Sequence, residues 1–522
     1  MGFKRCALVS PVTGMRRSTV RAAAIAVAIT LACFPAAPRA QAQTTTITVT
    51  NLNDSGTGSL RAAIAQSAST PTGQSTVINF ASGVTGTIPL ASTLSVCNGQ
   101  ALTIEGASQI HVSGQNTVQV FNICSGTAVT LSGLTIEKGL FPGGVGTGFD
   151  GGGGIENNAW LTVTNSTISG NAAGGQGVAV SIGGGIENNG TLTVTNSTFS
   201  GNTAGTTGLG GGINNIGILT VRNSTFSHNT AASGAGIYNF SKLIVTNSTF
   251  SGNAGTNGGG ISDSAPDLSD SMLIKSTILA GNTGGNCFHS INLDSQGYNL
   301  SDDATCTIGV HGFTQPTDMN NTLAGLDPKG LQNNGGPTQT IALLPASPAV
   351  DAIPVANCTD TQGNPVTTDQ RGVSRPQGKG CDIGAYELIQ SVPFATFKAE
   401  LAIFTQKPYG YALTAEFTPG TSSTGINPTT EGVTLQIATY TVTIPAGSFK
   451  QLWSGPRAPY AYAGTINGVA TRVVITPLED NRYGLIAAAS PVDLPGAANP
   501  VTVMLTIGDN SGNTPVNAIR LH

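Results

Sequence analysis

The sequence predicts an all-β chain in which a right-handed parallel β-helix is followed by a C-terminal antiparallel β-sandwich. The first observation is a phrase that recurs every 24–31 residues and reads LTVTNSTFSGN in its second copy. The second is a glycine-rich GGGI or GAGI that recurs with it. A repeat of this length predicts a solenoid, because one coil alone cannot bury its apolar face. The copies occupy 161–171, 192–202, 219–229, 243–253 and, more loosely, 272–282.

Residues 1–42 have the pattern of a bacterial signal peptide. A basic region up to Arg21 precedes an apolar run at 22–34, and 40–42 reads Ala-Gln-Ala, an A-x-A cleavage site. The apolar run is too short for a good membrane span. We expect export, with the mature chain beginning near Gln43. A lipidated Cys33 and a twin-arginine signal at Arg16-Arg17 are the alternatives.

Residues 43–100 are predicted to form an N-terminal cap and the first coils. The segment SLRAAIA at 59–65 predicts a short helix with Ser59 as its N-cap and with Leu60, Ala63 and Ile64 on one face. Open coil ends favour edge-to-edge aggregation, so a solenoid needs such a cover.

Residues 101–390 are predicted to form the β-helix and its C-terminal cap. In the second copy Leu192 and Val194 alternate with threonines, which predicts a strand. A bend near Asn196 would turn Phe199 inward. Each GGGI-x-N predicts a second short strand with its isoleucine inside. Parallel stacking of such coils buries the apolar face of each coil and supplies hydrogen-bond partners for its open strand edges.

Asparagines recur at fixed positions of the repeat. At one coil position, stacked asparagines can hydrogen-bond along the column and satisfy turn backbone. The N-S-T triplets also match the glycosylation pattern, which is the alternative explanation. The predicted ladder residues are Asn157, Asn188, Asn215 and Asn239 in one column and Asn171, Asn202, Asn229 and Asn253 in another.

Charged residues are dense near the end of the predicted β-helix, although the chain as a whole is only 9% charged. We expect ion pairs and hydrogen bonds that close the last coil, joined by Cys358 and Cys381. A carboxylate–arginine active site is the alternative. The predicted cap network comprises Asp369, Arg371, Arg375, Asp382 and Glu387.

Residues 391–522 differ in composition and are predicted to form a separate β-sandwich. Alternating stretches at 432–444 and 469–476 predict strands, and turn signals occur at 445–447 and 509–512. The aromatic residues here are expected to pack in the core, with a sugar-stacking platform as the alternative. They are Tyr409, Tyr411, Trp453, Tyr460 and Tyr462.

Six cysteines remain after the signal peptide, and an even number in an exported chain predicts disulfides. Pairing of sequence neighbours joins Cys97 to Cys124, Cys287 to Cys306 and Cys358 to Cys381, although fifteen pairings exist for six cysteines. No C-x-x-C motif supports a metal site.

The strongest catalytic candidates are Glu156 and Glu187, which follow isoleucine in adjacent repeats. Stacked in register they would lie about 5 Å apart, which suits a retaining glycosidase pair. The alternative is that both are variable surface residues, because Asn214 and Tyr238 take the same position later. Asp263, Asp267 and Asp270 could bind Ca²⁺ in a loop, or form a solvated acidic turn. We expect no cofactor, and the histidines have no metal or triad spacing.

Several stretches resemble exported bacterial β-helix families. The pairing of GG[GA]I with F-x-x-N, as at 199–202, resembles the repeats of chlamydial polymorphic outer-membrane proteins. ITVTNLNDSGTGSLRAAI at 47–64 resembles the N-terminal segment of CSLREA-type proteins. GGPTQTIALLPASPAVDAI at 335–353 and the segment at 368–387 are similar to the choice-of-anchor family. The resemblance covers about 47–388 and implies surface or secreted proteins, with adhesion for some. Residues after 390 are too few for an autotransporter barrel, so self-export is not expected.

We therefore predict an exported, non-catalytic protein, secreted or on the outer surface of a bacterium, that acts like an adhesin on a glycan or a host or matrix protein. One alternative is a polysaccharide lyase or glycoside hydrolase of the pectate-lyase-like class, and another is a purely structural envelope or matrix component. With a net charge of −4 and no basic cluster beyond the N-terminus, nucleic acid is not an expected partner. We expect a monomer without a membrane span.

Overall fold

The computed structural model describes residues 44–521, except 72–73, 98, 142–150, 175–180, 266–271, 290–292, 308–310, 390–391, 422, 424 and 495–497. The predicted signal peptide at 1–42 lies outside these residues. No helix in the described ranges is long and apolar enough to cross a membrane.

The solenoid begins with one strand and one helix, after which strands follow in close succession. Its elements are β1 (Thr44–Val49), α1 (Leu60–Ser67), β2 (Ser75–Phe80), β3 (Gly86–Pro89), β4 (Leu94–Val96), β5 (Ala101–Ser113), β6 (Phe121–Ile123), β7 (Ala128–Glu137), β8 (Leu140–Phe141), β9 (Ile155–Asn157), β10 (Trp160–Thr164), β11 (Thr167–Ser169), β12 (Ala172–Ala173), β13 (Ile186–Asn188), β14 (Thr191–Thr195), β15 (Thr198–Ser200), β16 (Ile213–Asn215), β17 (Ile218–Arg222), β18 (Thr225–Ser227), β19 (Ile237–Asn239), β20 (Lys242–Thr246), β21 (Thr249–Ser251), β22 (Ile261–Asp263), β23 (Met272–Lys275), β24 (Ile278–Ala280), β25 (Cys287–His289), β26 (Leu293–Ser295) and β27 (Leu300–Ser301).

The predicted parallel β-helix is confirmed and has about 8 turns. Each repeated phrase forms two strands, which pair in parallel with the same strands of the next coil; β14, for example, places Leu192 beside Leu219 of β17. Each GGGI-x-N forms a third strand, and these strands stack into a separate parallel sheet in the order β25-β22-β19-β16-β13-β9-β6-β4. Every ladder thus supplies the backbone partners that a single coil lacks.

The predicted bend within the phrase occurs at the asparagine before Ser-Thr. Asn196 has a φ of 52°, in the left-handed region that asparagine tolerates better than most residues. This turn directs Phe199 into the core, where it stacks on Phe226 with ring centroids 4.6 Å apart. Phe250 continues the column at the same spacing. The aromatic column therefore follows directly from the spacing of the repeat.

Helix α1 begins after Ser59, whose hydroxyl accepts a hydrogen bond from the Ala62 amide at 3.2 Å. The predicted face is buried, with Leu60 0% exposed. Arg61 fixes the helix to the preceding loop through Asp54 at 2.6 Å. The helix thus has the N-cap and the buried face that its sequence predicted.

Residues 326–388, here called the strap, follow the last coils. The elements in and before it are the 3₁₀ helix Thr305–Thr307, β28 (Leu326–Gln332), β29 (Thr340–Leu343), β30 (Ile353–Pro354), the 3₁₀ helix Val355–Asn357 and β31 (Gly380–Cys381). Apolar residues of the strap pack on Ile278 and Leu300 of the final coils.

The strap also extends along the side of the solenoid, and this corrects the expectation of a terminal cap alone. Thr198 donates to the Gln339 carbonyl at 2.6 Å, and Thr225 donates to Gln370 at 2.7 Å. One coil further on, Thr249 accepts from the Ala385 amide at 3.0 Å. These contacts form because Thr198, Thr225 and Thr249 occupy one position on successive coils and present their hydroxyl groups outward. The strap covers this row of threonines and buries it.

The three disulfides join sequence neighbours: Cys97 to Cys124, Cys287 to Cys306 and Cys358 to Cys381. The first links adjacent coils, because its cysteines follow the paired strands β4 and β6. The third lies within the strap. Of the pairings that the sequence allowed, the structure therefore selects the local one.

The C-terminal region forms two mainly antiparallel sheets around one core that includes Leu413 and Leu435. Two strand pairs, β32 with β42 and β33 with β43, are parallel. The boundaries predicted at 100 and 390 remain predictions. The strands are β32 (Val392–Pro393), β33 (Thr396–Phe404), β34 (Gly410–Thr418), β35 (Val433–Ile437), β36 (Tyr440–Ile444), β37 (Lys450–Gln451), β38 (Tyr460–Ile466), β39 (Val469–Pro477), β40 (Tyr483–Ser490), β41 (Val501–Ile507), β42 (Asn510–Val516) and β43 (Ile519–Leu521).

One strand prediction in this region is wrong. The stretch 432–444, expected as a single strand, is a hairpin in which β35 pairs antiparallel with β36. The chain reverses at Ala438, which has a φ of 53°. The turn contains neither glycine nor asparagine, the residues that normally signal such a reversal.

Candidate functional site

Glu156 and Glu187 are directly paired on the adjacent parallel strands β9 and β13. Their neighbours on each strand are isoleucine and asparagine, both with buried side chains that point into the solenoid. Because side chains alternate along a strand, the two glutamates lie on the outer face. The same row continues through Asn214 and Tyr238 on the next two coils.

This row borders a cleft of about 460 Å³, here called the carboxyl cleft. Its polar lining consists of Glu156, Glu187, Asn189 and Asn214. Its apolar lining consists of Ile182, Leu209, Ile216, Tyr238 and Phe240. An apolar concave surface with a few converging polar groups is the usual form of a ligand site.

Glu187 is buried, with only 1% of its surface exposed. The Asn214 amide nitrogen contacts its two carboxyl oxygens at 3.1 and 2.8 Å. Burial raises the pKa of Glu187 from 4.5 to about 8, Asn214 opposes this rise, and the charge of Glu156 adds to it. The alternative that both glutamates are surface residues is therefore wrong for Glu187. At neutral pH the cleft contains one carboxyl group that retains its proton.

Glu156 is half-buried and accepts a hydrogen bond from the Asn158 side chain at 3.2 Å. Asn158 in turn accepts one from Asn189 of the next coil at 2.9 Å. Side chains of adjacent coils thus hold the open edge of the cleft in place.

The asparagines predicted to stack form two buried columns. In the first, each side chain donates to the next at 2.7 Å, from Asn157 through Asn188 and Asn215 to Asn239. Asn239 then donates to Asp263 at 2.6 Å. This column directly flanks the glutamate row, so it fixes the backbone from which the cleft residues project.

In the second column, the Nδ2 of each asparagine donates to the Oδ1 of the next at 2.9 Å. It runs from Asn171 through Asn202 and Asn229 to Asn253, and continues to Asn282. The asparagines of the N-S-T triplets are a different set. Of these, Asn223 and Asn247 are 4% and 2% exposed, which argues against their glycosylation.

The predicted cap network lies within the strap and is largely buried. Arg371 pairs with Asp369 at 2.7 Å and lies over the Tyr386 ring at 3.6 Å. Arg375 pairs with Glu387 at 2.8 Å and also donates to the Asp382 carbonyl at 2.7 Å. Both arginines thus bind carboxylates and carbonyls of the strap.

The calcium loop proposed at Asp263, Asp267 and Asp270 is only partly covered by the described residues. Asp263 is 0% exposed and ends the first asparagine column, while Asp267 and Asp270 lie outside the described residues. Within the described ranges, no group of three or more His, Cys, Asp or Glu is placed to hold a metal.

In the C-terminal sheets, Tyr411 is a core residue at 1% exposure, whereas Trp453 is 58% exposed. These two residues therefore do not share one exposed platform.

The sequence reasoning missed the apolar side of the cleft. Ile216 and Phe240 are 49% and 45% exposed, and both follow the column asparagine of their coil by one residue. That position is asparagine in the two preceding coils. The change from asparagine to an apolar residue at this repeat position was the sequence signal that could have identified Ile216 and Phe240 as cleft residues.

Comparison with known proteins adds no identity. No family model matches the chain, and no curated protein is similar to it.

Proposed function

We propose that the chain is an exported surface or matrix protein whose β-helix binds a glycan at the carboxyl cleft without cleaving it. The predicted signal peptide and the three disulfides support export, because disulfides persist in oxidising compartments. The resemblance to choice-of-anchor and CSLREA-type proteins supports a surface location.

The observation that carries this proposal is the composition of the cleft. Exposed Ile216 and Phe240 lie beside the hydrogen-bonding groups of Glu187 and Asn214. A sugar ring presents the same combination, a C–H face and a rim of hydroxyl groups. Flat apolar side chains with a few placed polar groups are therefore suited to it.

The test is binding of the purified protein to an immobilised glycan panel, with and without Ca²⁺. We expect specific binding that Phe240→Ala weakens about tenfold, equivalent to about 1.4 kcal/mol. Phe288→Ala is the matched control, because Phe288 is similarly exposed but does not line the cleft. Equal loss in both variants, or no binding to any glycan, would contradict the proposal.

A second candidate function, retaining glycoside hydrolysis, is favoured by the pairing of Glu156 with Glu187. Adjacent parallel strands lie about 4.8 Å apart, close to the separation of about 5–5.5 Å between carboxyl groups in retaining enzymes. The two groups also differ in environment, since Glu187 is buried and Glu156 half-buried. Such a difference separates an acid from a nucleophile.

In that reaction a Glu156 oxygen would bond to the anomeric carbon while the glycosidic C–O bond breaks and Glu187 protonates the leaving oxygen. Water would then give its proton to Glu187, and its oxygen would replace Glu156 at the same carbon. Activated aryl glycosides test this candidate. Release of aryl alcohol with retained configuration, lost in both Glu156→Gln and Glu187→Gln, would support it; glycan binding without release would refute it.

The lyase alternative has less support from the cleft. A lyase removes a proton with a base that is commonly arginine or lysine. The described residues that border the cleft include neither. Carboxyl and amide groups are instead the polar groups available for recognition.

A further inference from the structure

The charges around the carboxyl cleft are of one sign. Among the described residues, the ionisable ones that line it are Glu156, Glu187 and Tyr238. The repeats at 151–262 contain two cations, Arg222 and Lys242, and neither is among the described residues that border the cleft. Arg222 lies 3.7 Å from Asp360 of the strap. An anionic ligand would therefore meet a carboxylate at Glu156 without a compensating cation.

Asn214 provides an independent sign of a ligand. It is 2% exposed and lines the cleft, yet its Oδ1 has no hydrogen-bond partner among the described residues. Buried acceptors are usually satisfied, so this oxygen at the cleft is available to accept a hydrogen bond from a group that arrives with a ligand. A hydroxyl group can donate to this oxygen, whereas a ligand carboxylate cannot.

Glu187 provides the matching donor. Burial raises its pKa to about 8, so at pH 7 it carries a proton that it can donate. The groups facing it are Glu156 from β9 and Asn214 from β16, with Tyr238 beyond. The donor and the acceptor thus match the hydroxyl groups of a sugar, and the carboxyl group of Glu156 is what disfavours an acidic one.

We infer that the carboxyl cleft selects neutral sugar rings and rejects acidic polysaccharides. This inference rests on the proposed function, since it specifies the glycan bound at that site. The neutral ring would place its C–H face on Phe240 and Ile216 and its hydroxyl groups on Glu187 and Asn214. Uronates would bring a second negative charge beside Glu156.

The test compares neutral gluco-, xylo-, manno- and galacto-hexaoses with hexamers of galacturonate and of alginate, measured by calorimetry at pH 6 and pH 9. We expect a neutral hexamer to bind at least tenfold more tightly than either uronate. At pH 9 its affinity should fall several-fold in the wild type, because Glu187 then ionises. Glu187→Gln should show no such fall, since glutamine keeps the shape but cannot ionise.

A gain of function provides a second readout. Glu156→Lys places a cation at the half-buried edge of the cleft. It should lower the ratio of the affinity for neutral hexamers to that for uronate hexamers at least tenfold. Equal or tighter binding of uronates by the wild type would overturn the inference while leaving glycan binding intact. Binding of no hexamer at all would overturn both the inference and the proposed function.

Discussion

Asn214 and Glu187 lie at the same position on adjacent coils, and the amide nitrogen of Asn214 contacts both carboxyl oxygens of Glu187, at 3.1 and 2.8 Å. This contact does not offset the loss of water, and the pKa of Glu187 rises to about 8. A buried carboxyl group that keeps its proton at neutral pH affects stability as well as ligand choice.

We predict that stability falls as the pH rises from about 4.5 to about 8. In this range the unfolded chain has lost the Glu187 proton and the folded chain retains it, so a higher pH favours unfolding. Above pH 8 the Glu187→Gln variant should be more stable than the wild type by roughly 3 kcal/mol, since one pKa unit corresponds to about 1.4 kcal/mol and relaxation recovers part of the cost.

Denaturant midpoints of both proteins between pH 4.5 and pH 9.5 provide the measurement. Glu400→Gln is the control, because it removes a carboxyl group at an exposed position of β33. Parallel pH profiles for the wild type and Glu187→Gln would show that Glu187 ionises in the folded protein without cost.

Asn202 occupies the middle of the second asparagine column. Its Nδ2 donates to Asn229 and to the Ile168 carbonyl, and its Oδ1 accepts from Asn171. Replacement by alanine would remove all three bonds, and only part of the loss is covered by the bond of Asn171 to the Ile136 carbonyl and that of the residue 202 amide to Asn229. We expect Asn202→Ala to lower the free energy of unfolding by about 2–4 kcal/mol, because each unsatisfied buried group costs about 1–3 kcal/mol.

Thermal and denaturant unfolding of Asn202→Ala would be compared with Asn257→Ala. The Asn257 side chain is exposed and lies 3.4 Å from the Ser233 hydroxyl, and alanine keeps its backbone hydrogen bonds, so its replacement should change stability by less than about 0.5 kcal/mol. Similar losses in the two variants would remove the stabilising role assigned to the column.

The coils were predictable because their signals are local. Strand alternation recurs in every copy and asparagine occupies the bend in the first four. Phenylalanine follows that asparagine by three residues in the second to fourth copies, and Phe199 and Phe226 occupy the expected core positions. The burial of Glu187 was not predictable in this way. Glu187 shares its cleft with Ile182 and Leu209, which lie outside the repeated phrase.

The path of the strap along the coils could not be predicted from the sequence either. Thr225 alternates with buried residues and would ordinarily face water, but it is 0% exposed because Gln370 covers it from 145 residues away. Nothing in the repeat itself distinguishes a threonine row that faces solvent from one that binds another segment. Contacts at such separation depend on how the chain returns, which a single sequence does not reveal.

The strap should depend on its disulfide. Cys358 and Cys381 close a segment of 23 residues, and a cross-link over such a loop contributes about 2–4 kcal/mol. We predict that the paired Cys358→Ser and Cys381→Ser variant loosens the strap while the coils stay folded. Hydrogen exchange should then increase at Ala385, whose amide donates to Thr249.

The paired Cys287→Ser and Cys306→Ser variant is the control, because that disulfide lies outside the strap. Unchanged exchange at Ala385 in the strap variant would mean that the ion pairs of Arg371 and Arg375 hold the strap without a covalent link.

Phe226 and Phe240 lie close together in the sequence, but we expect the first to stabilise the fold and the second to bind the glycan. Phe226 is 0% exposed between Phe199 and Phe250, whereas Phe240 is 45% exposed at the cleft. We predict that Phe226→Ala lowers stability by about 3–5 kcal/mol, the usual cost of removing a buried phenyl ring. Phe240→Ala should change stability little and affect glycan binding instead. Unfolding midpoints and glycan affinity measured on both variants check this pair. A large loss of stability in Phe240→Ala would make Phe240 a packing residue, and its exposure would then need another explanation than ligand binding.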